Sequence, residues 1–272
     1  MRTYDVIKTT QDLTGLSWSE RAASSGTAGT YLKAGSGSGA RMIYYKLSHS
    51  NGTRIDGHEC VNEVIASRLM RMLGIPHLEY RLIHARVDID GVETVTWLNS
   101  SRNFRKPGER KQGLGLFFDL NKEDGETPYE LCRRFGWEND IKLMMLVDYL
   151  MVNRDRHDLN IEVLVDRSGV PRLAPIFDTG LSLLAPFADR EEMAMGFEPR
   201  SEVGTTNYIG SRALEENLVS ALPLPEVGEL RESDREALLA NLKETLPQSY
   251  LAKIWEIIWG RWCHYEEVRD HR

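Results

Sequence analysis

The eighteen positions from Asn160 to Asp178 leave the chain little choice of fold. Ile161-Glu162-Val163-Leu164-Val165 and Val170-Pro171-Arg172-Leu173-Ala174-Pro175-Ile176-Phe177 are β-prone runs on either side of the polar, glycine-containing Asp166-Arg167-Ser168-Gly169. Such a pattern closes as a hairpin, which returns Asp178 to the side of Asn160. Upstream, residues 138–152 carry Ile141, Met144, Met145, Val147, Leu150 and Met151 at largely helical spacing, with acidic residues at the start. A buried helix therefore delivers Asn153-Arg154-Asp155-Arg156-His157-Asp158-Leu159-Asn160 at its C-terminal end.

Asp155 precedes Asn160 by five positions, and the hairpin brings a second carboxylate beside them. That set suits phosphoryl transfer, which asks a protein for positioning and charge rather than covalent work. Asp155 takes the place of the base that accepts the acceptor hydroxyl's proton and Asn160 that of an oxygen ligand of Mg²⁺, with Asp178 folded back beside it. An isolated D-x-x-x-x-N carries almost no information, and Asp near Gly or Asn is ordinarily a turn or cap residue. The weight rests on helix, spacing and hairpin together.

Phosphoryl transfer also needs a phosphate loop, a lysine and a carboxylate upstream. Two glycine-rich runs compete for the first: Ser24-Ser25-Gly26-Thr27-Ala28-Gly29-Thr30 and Gly35-Ser36-Gly37-Ser38-Gly39. Both could expose backbone N–H groups to an anion. The first is preferred, with Ser24, Ser25, Gly26, Thr27 and Gly29 as candidate contacts, because it leaves a complete hairpin ending on Lys46. Lys46 stands between Tyr45 and Leu47, a setting in which an ammonium needs a partner. Residues 59–73 place Val61, Val64, Ile65, Leu69, Met72 and Leu73 on one helical face before Gly74 and Pro76. Glu59 and Glu63 stand one turn apart on that helix, and Glu63 is chosen to pair with Lys46.

Tyr44-Tyr45-Lys46-Leu47, the helix containing Asn62-Glu63, the run from Asn153 to Asn160, and Leu173-Ala174-Pro175-Ile176-Phe177-Asp178 together resemble the HipA-like serine/threonine kinases. The resemblance covers about residues 24–184, and Asp-Arg-His-x-x-Asn is also similar to the phosphatidylinositol 3/4-kinase group. It implies an α+β, bilobal protein-kinase-like fold: a small, mainly antiparallel β lobe with one helix over residues 1–100, and a larger helical lobe over 101–272. ATP would lie between the lobes. Asp155 would be the catalytic base, Asn160 and Asp178 the Mg²⁺ ligands, and Lys46 the α/β-phosphate contact. The family's phosphate loop can be phosphorylated by the enzyme itself, which makes Ser24, Ser25 and Thr27 acceptor candidates. An antitoxin-like regulator is a partner the family often has, although at 272 residues the chain is short for its toxin members and is expected to lack most of their N-terminal subdomain.

The net charge of −7 and pI of about 5.6 argue against a general nucleic-acid binder. The basic run of residues 102–111 reads as a solvated interlobe loop. Cys60, Cys132 and Cys263 are scattered without metal-ligand spacing, as expected of reduced thiols. Neither a signal-peptide apolar run nor an eighteen-residue apolar segment occurs, so a soluble, cytoplasmic protein is expected. Residues 80–87 and 92–98 alternate around Asp88-Ile89-Asp90-Gly91 and predict a hairpin completing a sheet of about five strands. In a kinase, adenine bonds to backbone near such a lobe boundary, which makes Thr96, Trp97 and Leu98 the neighbourhood of interest without naming a contact. Tryptophans at helical spacing, Trp255, Trp259 and Trp262, read as core or interface.

His157 either polarises a phosphate or fixes the loop, and Arg154 and Arg156 either contact phosphate or form ion pairs. Three other functions fit parts of the sequence. A small-molecule or lipid kinase would use the same machinery. An aspartic protease would use Asp178-Thr179-Gly180, but it requires two such carboxylates and leaves the Asp155–Asn160 spacing unexplained. A catalytically dead binding module has no use for Lys46, Asp155, Asn160 and Asp178 together.

Overall fold

A computed structural model describes residues 5–19, 31–50 and 55–271. Its upper sheet holds β1 (Val6–Asp12), β2 (Lys33–Ser36), β3 (Ile43–Leu47), β4 (Tyr80–Ile89) and β5 (Val92–Arg102), in the order β1-β4-β5-β3-β2. All neighbouring pairs are antiparallel except β1 and β4. β4 and β5 turn through Asp90 and Gly91 at φ 53° and 84°, the left-handed pair that a two-residue hairpin turn requires. The second glycine-rich run forms the end of the β2–β3 hairpin, whose register runs from Ser36 opposite Ile43 to Lys33 opposite Lys46. The preferred first run, with Ser24, Ser25, Gly26, Thr27 and Gly29, lies outside the described residues.

The helix expected at residues 59–73 is α1 (Glu59–Met72). Gly74, at φ 70°, lets Ile75 N–H reach the Met70 carbonyl at 2.8 Å and its own N–H reach Arg71 at 3.3 Å, the two bonds of a Schellman stop. The sequence shows one apolar face, yet twelve of the helix's fourteen residues are buried. Its polar residues can be buried because they are bonded. The Arg68 guanidinium grips Asp5 through two bonds of 2.8 Å and donates to the carbonyls of Leu238 and Ala240. Ser67 Oγ lies 3.1 Å from His77 Nε2. One apolar core runs from Val64, Ile65 and Leu69 of this helix into the helical half of the chain, so α1 is fixed between the two halves.

The lower half begins with β6 (Arg110–Gly113), α2 (Leu114–Asn121), α3 (Pro128–Arg134) and α4 (Glu138–Met151). The expected hairpin follows as β7 (Glu162–Val165) and β8 (Pro171–Leu173). β6 pairs with β7 from Arg110 opposite Val165 to Gly113 opposite Glu162, which makes three strands instead of two. The basic run therefore is not a solvated loop: Arg110 and Lys111 are in this strand, and Arg102, Arg105 and Lys111 line the cleft between the sheets. Helices α5 (Glu191–Met195), α6 (Leu214–Ala221), α7 (Arg235–Leu238) and α8 (Gln248–Asp270) complete the chain. Trp255 and Trp262 are core residues, and Trp255 stacks on Trp259 at 5.8 Å. No helix among the described residues is long and apolar enough to cross a membrane.

Candidate active site

The last turn of α4 gives the site its rigid base. Asp148, 1% exposed, accepts from Arg156 Nη2 at 2.8 Å and from Asn153 Nδ2 at 2.8 Å. Arg156 is itself fully buried and donates onward to the carbonyls of Asn160 and Phe177 at 2.9 and 2.8 Å. It is a strut between helix, loop and hairpin rather than a phosphate ligand. Arg154 is likewise spent on the carbonyls of Val152 and Leu183. The chain leaves α4 through Val152 at φ 54°, an unfavourable conformation for a β-branched residue that this buried network holds in place.

Asp155 follows with its backbone N–H on Asn153 Oδ1 at 3.2 Å. Its carboxylate, about a third exposed, accepts from Thr206 Oγ1 at 3.2 Å and lies 3.4 Å from Asn160 Nδ2. Asn160 Nδ2 donates to the Asp155 carbonyl at 2.8 Å, and its amide oxygen, the atom a hard cation prefers, has no partner among the described residues. Leu159 N–H donates to His157 Nδ1 at 3.1 Å, so the neutral imidazole carries its proton on Nε2, which lies 3.8 Å from Asp155 Oδ1. The ring thereby fixes the loop and still presents an N–H beside the carboxylate.

Sequence reading missed Thr206, which has no local signature and stands in an irregular segment. Thr206 N–H donates to the Arg154 carbonyl at 3.0 Å and Tyr208 N–H to that of Arg156 at 3.0 Å, which seats this segment along the loop. Thr206→Val should lower kcat about tenfold, the value of one hydrogen bond to a charged group near the surface, while Thr206→Ser should stay within about twofold. Steady-state kinetics of the two variants would check this.

Across the cleft, Lys46 Nζ lies 2.5 Å from Asp178 Oδ1 and 3.7 Å from Glu63 Oε1. Glu63, chosen as the partner of Lys46, forms that ion pair through Oε1, while its Oε2 accepts from Thr179 N–H at 3.1 Å and Thr179 Oγ1 at 2.9 Å. Asn62 adds bonds to the carbonyls of Gly180 and Ser182, so α1 clamps the turn after Asp178. Glu59 is occupied with Tyr31 and the His49 N–H. Burial alone would raise the Asp178 carboxyl, but the ammoniums of Lys46 and Lys33 outweigh it and hold it down at about 2. Burial also raises Glu63, to about 7, because Lys46 only partly compensates. Glu63 therefore ionises later in the folded chain than in the unfolded one, and its contribution to stability falls as pH rises from about 4.5 through about 7. Glu63→Gln should accordingly gain in Tm relative to the native chain between pH 5 and pH 8; thermal melts across that range would test it.

Asp178, Asn160, Lys46, Phe177 and Tyr80 line one cleft that is open to solvent. Ser101, Arg102, Asn103, Phe104 and Arg105 line it as well, whereas Thr96, Trp97 and Leu98 do not. Thr96, Trp97 and Leu98 lie inside β5, which β3 holds in the sheet as far as Arg102, opposite Ile43.

The chain is similar to the crystal structure of CtkA, a proinflammatory kinase of Helicobacter pylori, with a TM-score of 0.66 over 96% of this chain and 97% of that one, at 12% identity. The fold is that of a kinase. No family model and no curated protein matches the chain, so the HipA-like resemblance rests on the motifs alone. Within the kinase-like fold, the upper antiparallel sheet with α1 and the lower helical half are the two lobes, and the cleft lies between them. Within the chain, Asp178 pairs with the Lys46 ammonium, whereas the carboxylate dyad of an aspartic protease shares a proton between two acids.

Proposed function

We propose that this chain is an ATP- and Mg²⁺-dependent kinase that transfers the γ-phosphate to serine or threonine hydroxyls of a protein, in the manner of the HipA-like kinases. The observation that carries this reading is the meeting of Lys46 from the upper sheet with Asp178, Asn160 and the Asp155 loop from the lower half, at one interlobe cleft. The donor set fits Mg²⁺: an ionised carboxylate on Asp178 and an unengaged amide oxygen on Asn160 are hard oxygen ligands lining the same space. Bound there, Mg²⁺ would offset charge on the phosphates.

The remaining chemistry belongs to the side chains. Asp155 accepts the proton of the acceptor hydroxyl as that oxygen bonds to the γ-phosphorus and the bond to ADP breaks. Thr206, Asn160 and Asn153 hold Asp155 in place for that transfer. Lys46, between two carboxylates, can turn from Asp178 towards Glu63 with a small change of side chain and so remain paired while it contacts phosphate.

Calorimetric titration tests the metal part of this reading. ATP should bind the native chain at least about tenfold more tightly with Mg²⁺ than without it, and Asp178→Asn should abolish the difference. Native binding indifferent to Mg²⁺ would contradict the assignment. By resemblance, Ser24, Ser25 or Thr27 is the site of autophosphorylation, and phosphopeptide mapping of the purified chain would find label there or dispose of the idea.

A further inference from the structure

Of the three lysines that line the cleft, Lys33 is the one with no ion pair to a described residue. It stands on β2 directly opposite Lys46 on β3, so the two side chains leave the upper sheet on the same face. Lys46 is held by Asp178 at 2.5 Å, and Lys111 by Glu162 at 2.8 Å. The Lys33 ammonium also lines the cleft, but it has neither ion pair nor hydrogen bond to any described residue. Burial pulls its pKa below the ordinary lysine value, with Asp178 and Glu162 opposing and Lys46 and Lys111 adding to the fall. A mostly buried ammonium with no ion pair to a described residue carries a desolvation cost that an arriving anion would relieve.

Lys33 also helps hold the Asp178 carboxyl ionised, second only to Lys46 among the cations acting on it. Lys33 thus shares the cleft with Asp178 and stands across the β2–β3 pair from Lys46, the residue that bonds Asp178.

We propose that Lys33 is a second phosphate-binding lysine, which contacts the polyphosphate of the donor from the upper sheet alongside Lys46. The identity of that donor as ATP rests on the function proposed above; the demand for a polyanion does not. Two adjacent ammoniums sharing one ligand predict that loss of Lys46 leaves residual affinity, which disappears when Lys33 is removed as well.

The test is calorimetric binding of adenosine, AMP, ADP, ATP and tripolyphosphate to the native chain, Lys33→Met and Lys33→Arg. Methionine keeps the unbranched apolar stem in its strand and removes only the charge. The expected result is a loss of about tenfold or more for ATP and tripolyphosphate, a smaller one for AMP, none for adenosine, and recovery with arginine. Unchanged ATP affinity in Lys33→Met, or an equal loss for adenosine, would overturn the assignment and leave the kinase reading standing. If the native chain binds tripolyphosphate but no nucleotide, and Lys33→Met loses it, Lys33 is upheld and the kinase reading falls. If the native chain binds neither, both fall.

Discussion

Asp155→Asn should lower kcat by roughly 10²- to 10⁴-fold while nucleotide affinity stays within about twofold. Asparagine keeps the size of the side chain and can still accept from Thr206, so the loop should hold its course through Asn153 and Arg156. What it loses is the capacity to take a proton from the acceptor hydroxyl. Among the described residues Asp155 bonds to neither Lys46 nor Asp178, the residues proposed to hold the donor, so binding and chemistry should separate. Rate measurements with saturating ATP, beside calorimetry on the same variant, would show whether they do. A comparable fall in affinity would mean that Asp155 holds ligand or loop rather than proton.

Asp148→Ala should be the most damaging single change to the fold. Asp148 and Arg156 are 1% and 0% exposed, and removing the carboxylate leaves a buried guanidinium without its charge partner and Asn153 Nδ2 without an acceptor. Breaking such a pair costs about 3–5 kcal/mol. For a chain of this size that lowers Tm by roughly 10 °C. Because Asn153 and Arg156 also shape the loop carrying Asp155, protein that still folds should turn over slowly. Thermal and denaturant melts would check the first part; a Tm within about 2 °C of native would show that water or a neighbour replaces the carboxylate.

The parts of this site that could be read from the sequence are those its local rules decide. Asp155 and Asn160 share one loop, and Asp178 returns on a short hairpin, so spacing and strand pattern were enough to bring them together. Lys46 followed from an ammonium in an apolar strand, and α1 from its periodicity and its Gly74 stop. Long-range partners left no such trace. Arg68 lies 63 positions from Asp5, and Thr206 lies 51 positions from Asp155, each in a stretch that reads as ordinary surface. Glu63 was read as the mate of Lys46, but its second tie, to Thr179 116 positions on, shows only in the folded chain. The strand β6, Arg-Lys-Gln-Gly, has no apolar alternation and is a strand only because β7 pairs with it. The same dependence on a partner carried β5 past Thr96, Trp97 and Leu98 to Arg102.

The central claim is tested most directly by incubating the purified chain with γ-labelled ATP and Mg²⁺, with and without protein acceptors, beside Asp155→Asn, and mapping the label by mass spectrometry. The account predicts label on serine or threonine hydroxyls with the native chain and almost none with the variant. ATP that is neither bound nor turned over by the native chain, with no label on any acceptor, would contradict it.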